Sequence, residues 1–130
     1  MNKSNLNSSI IALGAFSACV AVAAGAFAAH GLKDVLNTEY LNTFRTAADY
    51  QLAHSVGLIL IGIVNQHNHN RCNIASAIFM FTGIILFSGS LYLLTLSGIK
   101  WLGFITPVGG TCFLIAWLTL GFNHLPQRNN

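Results

Sequence analysis

Four stretches of this chain, 10–29, 47–64, 74–97 and 102–122, run about twenty residues each and share a single charged side chain, Asp49. A bilayer core about 30 Å thick takes about 20 mostly apolar residues to cross as a helix. In hydrocarbon every backbone N–H and C=O must be paired within the segment, which leaves the helix as the element such runs can form. The sequence therefore predicts an all-α fold, an integral membrane four-helix bundle built as a single domain over 1–130. Composition agrees: 54% of the 130 residues are hydrophobic and 7% charged, against about 25% charged in a soluble domain. So few charges cannot cover a water-facing surface, and most of the surface must face lipid.

The connections differ in character. Segment 65–73, "NQHNHNRCN", is short and polar, and 97–101, "SGIKW", reads as a tight turn. Segment 30–47 is longer. Leu32, Val35, Leu36, Tyr40, Phe44 and Ala48 recur every three or four residues, predicting a short amphipathic segment at the membrane surface between helices one and two. Asn37 or Thr38 with Glu39 following is a helix-start signal. "AFA" before Ala29 resembles a signal-peptide cleavage site, but the apolar run exceeds the 7–15 residues of a signal core, so the first span is expected to stay and the chain to keep Met1 or Asn2. Basic residues divide evenly, Lys3, Arg71 and Arg128 against Lys33, Arg45 and Lys100. All three acids lie near segment 30–47, and the expected orientation has both termini in the cytoplasm.

With four spans, the end of span one, the start of span two, the end of span three and the start of span four lie on one side. The polar motifs are expected to converge there, with Tyr50 and His54 one helical turn apart on one face. In span three, Ala75, Thr82 and Gly89, and beside them Ser76, Gly83, Ser90 and Ser97, recur every seven residues. They make a seam of small side chains that admits a neighbouring helix. Span one carries a matching stripe, Gly14, Ala18, Ala21, Gly25 and Ala29, and the two are expected to pair. Ser90 belongs to the seam; Ser88 and Tyr92 share another face, with the Ser88 hydroxyl expected to bond its own preceding turn. Leucine at Gly89 or Ser90 is expected to disrupt packing. In "ITPVGG" (105–110), Pro107 leaves the Gly103 carbonyl without its usual partner, to be met by Thr106, Thr111, another helix or water. Gly109 and Gly110 admit a close backbone.

Chemistry is sparse. No run of like charge suggests nucleic acid. Cys19, Cys72 and Cys112 have no metal or disulfide spacing. His67 and His69 lack further ligands, so no metal and no cofactor is expected. The glycines of span four open no phosphate loop, and Ser88 and Ser90 do not sit in G-x-S-x-G. No catalytic constellation stands out, and an enzyme is not expected. A non-enzymatic accessory or assembly protein is, with the lipid bilayer, a membrane-protein partner or a second copy as its partners. The alternative is a small transporter or proton-conducting component that uses His54 and Tyr50, since ionisable groups within membranes are expensive.

"GAFAAHGLK" (25–33), "TAADYQLAHSVGL" (46–58), "LFSGSLYLL" (86–94) and "ITPVGG" (105–110) followed by Trp117 together resemble the YgdD-like uncharacterised inner-membrane proteins of bacteria. The resemblance covers nearly the whole chain, with Ala28 where that family usually has Gly. It implies four transmembrane helices in the cytoplasmic membrane and no known reaction. The signature positions it carries over are His30, Gly31, Tyr50, Gln51, His54, Ser88, Gly89, Ser90, Tyr92, Thr106, Pro107, Gly109 and Gly110.

Overall fold

Helix starts and stops follow local chemistry. Asn37 caps α2 (Thr38–His67), its side-chain oxygen accepting from Tyr40 N at 2.8 Å. Asn70 caps α3 (Arg71–Gly83) through Cys72 N at 2.9 Å. Each satisfies a donor that a helix N-terminus otherwise leaves open. α3 continues through a π-turn, Ile84–Gly89, into α4 (Ser90–Ser97). Gly98, with φ 73°, ends that run in the left-handed conformation and returns its N–H to Leu94 O at 2.8 Å. A 3₁₀ turn, Lys100–Phe104, leads into α5 (Thr106–Asn123), with Pro107 in the first turn, where no N–H is needed. α1 (Lys3–His30) opens the fold. The computed structural model describes residues 3–126; Met1, Asn2 and Arg128, which enter the sequence argument, lie outside them.

Four helical runs are long and apolar enough to cross a membrane: Ser4–His30, Thr38–His67, Arg71–Ser97 and Lys100–Asn123. No strand occurs among the described residues. α1 packs on α2, α2 on the third span, and the third span on α5. α5 also reaches α2, where Phe113 lies against His54. Half of the most apolar window of α2 is buried, but only 17% of that of α1 and of the fourth span, so the outer pair give most of their surface to lipid. The core lies between α2, α3 and α5, where Leu58, Ile61, Met80, Phe113 and Ala116 meet, with Ile10 of α1 against them.

This order changes three expectations. The helical part of segment 30–47 is the first turns of α2 itself, preceded by turns at 31–37. Its apolar side, Leu32, Leu41 and Phe44, packs on Ala28 with Leu36 and Tyr92 alongside, while Asp34, Glu39 and Arg45 stay exposed. Where the small stripe of α1 is closely packed, at Gly14, it meets α2 and not the third span, while Gly25 has open space beside it and Ala29 is exposed. A Cβ on Gly14 would come 2.9 Å from Ser55 O, and one on Gly62 3.2 Å from Ile11 N. In return, the Ser76, Gly83, Ser90 row faces α5: Ser76 Oγ donates to Ala116 O at 2.7 Å, and a Cβ on Gly83 would lie 3.1 Å from Gly109 O. Small residues permit close approach to any helix, and topology selected the partners.

Candidate functional site

The deepest polar group centres on Gln51. Its Nε2 donates to Ser17 O at 3.0 Å and to Ser17 Oγ at 3.3 Å, while its Oε1 accepts the Tyr92 hydroxyl at 2.8 Å. Ser55, one turn on, donates to Ser17 Oγ at 2.7 Å. Ser17 is thirteen residues from either end of Ser4–His30, so it lies about 20 Å from each at 1.5 Å per residue. Three spans are tied together halfway along α1. Ser88 adds a fifth bond, from Oγ to Ala47 O at 2.8 Å, and is almost wholly buried. A side groove of about 330 Å³ opens between α1 and the third span, lined by Ser17, Val20, Gln51, Ile85, Ser88 and Tyr92 among others.

Ser90 lies on the opposite side of the third span, because two residues turn a helix by about 200°. Its hydroxyl pairs with Thr106 Oγ1 at 2.7 Å, joining the third span to α5. That occupies Thr106; the Thr111 hydroxyl goes to Pro107 O at 2.9 Å. The two hydroxyls expected to serve the Gly103 carbonyl are therefore used elsewhere. Ser88 likewise bonds across to α2 rather than to its own turn.

Gly109 is buried where α5 crosses the π-turn, its Cα side pressed against the backbone of Leu86 and Phe87. Gly110 meets only the Phe87 ring, at ordinary contact distance of 3.8 Å, so it admits no backbone. Gly89 has open space where a Cβ would stand and borders the groove instead of a helix. Gly89 is the last residue of the π-turn, an element with no counterpart in the seven-residue spacing.

Tyr50 and His54 occupy the other side of α2. His54 Nδ1 donates to Tyr50 O at 2.6 Å, and its ring stacks on Phe113 at 3.5 Å between centroids. Tyr50, 45% exposed, stacks on Phe87 at 4.5 Å. His30 is exposed at the end of α1, and Gly31, just past that end, rests against Phe27 of α1, its N–H bonded to Phe27 O at 2.8 Å. His30 thus joins neither Gln51 nor His54.

A second polar group lies at the opposite end and was not expected. Asn65 Nδ2 donates to Asn7 Oδ1 at 2.7 Å; Asn65 Oδ1 accepts from Asn70 N at 3.0 Å. Asn70 donates to Asn123 at 2.8 Å, Asn123 to Asn73 at 3.0 Å, and Asn73 to Asn68 O at 3.0 Å. Asn7, Asn65, Asn73 and Asn123 come one from each span. His69 has its Nδ1 3.4 Å from Asn65 Nδ2. The signal was present in the sequence: Asn65 and Asn73 flank the second connection, and Asn7 and Asn123 lie at matching depth in the outer spans.

Among the described residues no group of three or more His, Cys, Asp or Glu is arranged to hold a metal. Every buried side-chain nitrogen or oxygen among them has a hydrogen-bond partner. The site is thus a set of polar ties between spans.

The family described as "Protein of unknown function (DUF423)" matches residues 24–110, which include His30 through Gly110 but neither Ser17 nor Asn7. A UPF0382 membrane protein of Staphylococcus epidermidis is 46% identical over 110 residues, covering 85% of this chain and 89% of that protein. One from Staphylococcus saprophyticus is 44% identical over 110 residues, 85% of this chain and 91% of its own. The UPF0382 membrane protein YwdK of Bacillus subtilis is 40% identical over 111 residues, 85% and 90% of the two chains. No solved structure matches. Four spans able to cross a membrane, signature motifs in order and relatives named as membrane proteins lead to one assignment: the chain belongs to the DUF423 family of membrane proteins of unknown function.

Proposed function

We propose that this protein is a non-enzymatic accessory or assembly protein of the bacterial cytoplasmic membrane, a YgdD-like member of its family with both termini in the cytoplasm. The observation that carries the reading is the internal use of its polar groups. Gln51, Tyr92, Ser17, Ser55, Ser88, Ser90 and Thr106 all bond one another or the backbone. A catalytic or transport site keeps polar groups aimed at a substrate; here they are turned on neighbouring spans. Tyr50 and His54 lie apart from the Gln51 group, on the side of α2 that meets Phe87 and Phe113. The outer spans present apolar side chains such as Phe16 and Phe122, suited to lipid or to another membrane helix.

Blue-native electrophoresis of mildly solubilised membranes, with and without the gene, tests this. The expected result is a defined membrane complex whose mobility or abundance changes when the protein is absent. Solute or proton flux through liposomes holding the purified protein alone, lost on His54→Leu, would overturn the reading. Alkaline phosphatase fused after His124 tests the orientation and should be inactive.

A further inference from the structure

The asparagine network leaves one donor over. Asn70 N–H requires oxygen at Asn65 Oδ1, so the other Asn65 atom is the amide nitrogen, and the Asn7 atom facing it at 2.7 Å must be oxygen. The amide nitrogen of Asn7 is therefore turned the other way. Asn7 is 95% buried, being 5% exposed, and among the described residues this nitrogen has no protein partner. No buried side-chain nitrogen or oxygen among the described residues lacks a hydrogen-bond partner, so this nitrogen is not a sealed, unpaired donor. Asn7 lines a pocket of about 320 Å³ between α1 and the end of α2, together with Ser4, Ser8, Asn65, Gln66 and His69.

The chemistry of that pocket is one-sided. Asn65 Nδ2 approaches His69 Nδ1 at 3.4 Å and can only donate, so a neutral His69 carries its proton on Nε2 and offers a second donor. Gln66 is exposed and free to turn its amide inward. Arg71 stands exposed two residues beyond His69. Asp34, Glu39 and Asp49 all belong to the other end, so no carboxylate of the described residues competes here. Asn7 is four residues inside the start of α1, about 6 Å at 1.5 Å per residue. That is headgroup depth for a helix end.

We infer that this pocket binds the phosphodiester of an anionic phospholipid headgroup, held by the Asn7 amide, Gln66 and His69 with Arg71 as counter-charge. Phosphate oxygens accept several hydrogen bonds at once, and basic residues beside spans at the membrane surface favour anionic lipid.

Thermal unfolding and native mass spectrometry of the detergent-purified protein, titrated with short-chain phosphatidylglycerol, phosphatidylcholine or inorganic phosphate, test it. Phosphatidylglycerol is expected to raise Tm and stay bound, at least about tenfold tighter than phosphatidylcholine. Asn7→Asp keeps the oxygen that Asn65 needs and replaces the free donor by an acceptor, so it should weaken phosphatidylglycerol about tenfold. Gln66→Glu, at an exposed position, should do the same and tests the inference if Asn7→Asp folds poorly. Equal response to both lipids, or unchanged binding in Gln66→Glu, overturns it. Inorganic phosphate binding as tightly as phosphatidylglycerol overturns the lipid assignment.

Discussion

Gly109 of α5 lies directly against the backbone nitrogen of Phe87, inside the π-turn of the third span. A Cβ at that position has nowhere to go, because the atoms it meets are backbone. Gly109→Ala should cost about 3 kcal/mol, the upper end for overpacking. Gly89→Ala, three residues from Leu86 on the same turn, meets nothing and should be neutral or stabilising by up to about 1 kcal/mol, as Ala replaces Gly in a helix. Thermal unfolding in detergent decides the pair; equal losses would mean that the crossing is elsewhere.

Ser88 and Ser90 separate in a different way. Ser88→Ala leaves Ala47 O without its cross-span donor and should lower stability by about 0.6–1 kcal/mol. Ser90→Ala should cost less, since Thr106 is only partly buried. Leucine at either site should be much worse than alanine, because both side chains are buried against a neighbour. Ranking the four variants by midpoint temperature checks the assignment of α2 to one face and α5 to the other.

Gln51 and Tyr92 should couple. Gln51→Leu strips a partner from Tyr92 and from Ser17 and should cost about 2 kcal/mol; Tyr92→Phe removes one hydroxyl and should cost about 1. The double variant is expected to cost less than the sum by at least about 0.5 kcal/mol, as residues within one network do. Strict additivity in a double-mutant cycle would show that the bond contributes nothing.

At the other end, Asn65→Leu should be the most damaging polar substitution in the chain. It leaves Asn7 Oδ1 and Asn70 N unpaired, at about 1–3 kcal/mol each. Asn68→Ala should be nearly silent, because Asn73 uses its backbone oxygen and not its side chain. Hydrogen exchange over 65–73 should rise sharply in the first variant and stay unchanged in the second.

Much of the architecture was legible because hydrophobic length is a local property. The runs around 10–29 and 102–122 carry no charge, and a bilayer leaves such segments one option. Asn37 as a helix cap and the stop at Gly98 were equally local, each depending on a few neighbouring residues. The partners of the polar residues were not. Ser17 looks like any hydroxyl in an apolar helix until Gln51 and Ser55, 34 and 38 residues away, are brought to it.

What the sequence alone determined is therefore the class and the inventory: four spans, short polar connections, and a few hydroxyls, amides and glycines inside apolar helices. Which helix each of those residues faces was decided by tertiary structure. Small-residue seams are permissive, so the stripe of α1 and the row of the third span fit more than one neighbour. The choice came from packing all four spans at once, with α1 on α2, α5 on the third span and a π-turn where α5 crosses. The asparagine network shows the same division, since its members are dispersed between positions 7 and 123 and acquire a common role only when the four helix ends are side by side.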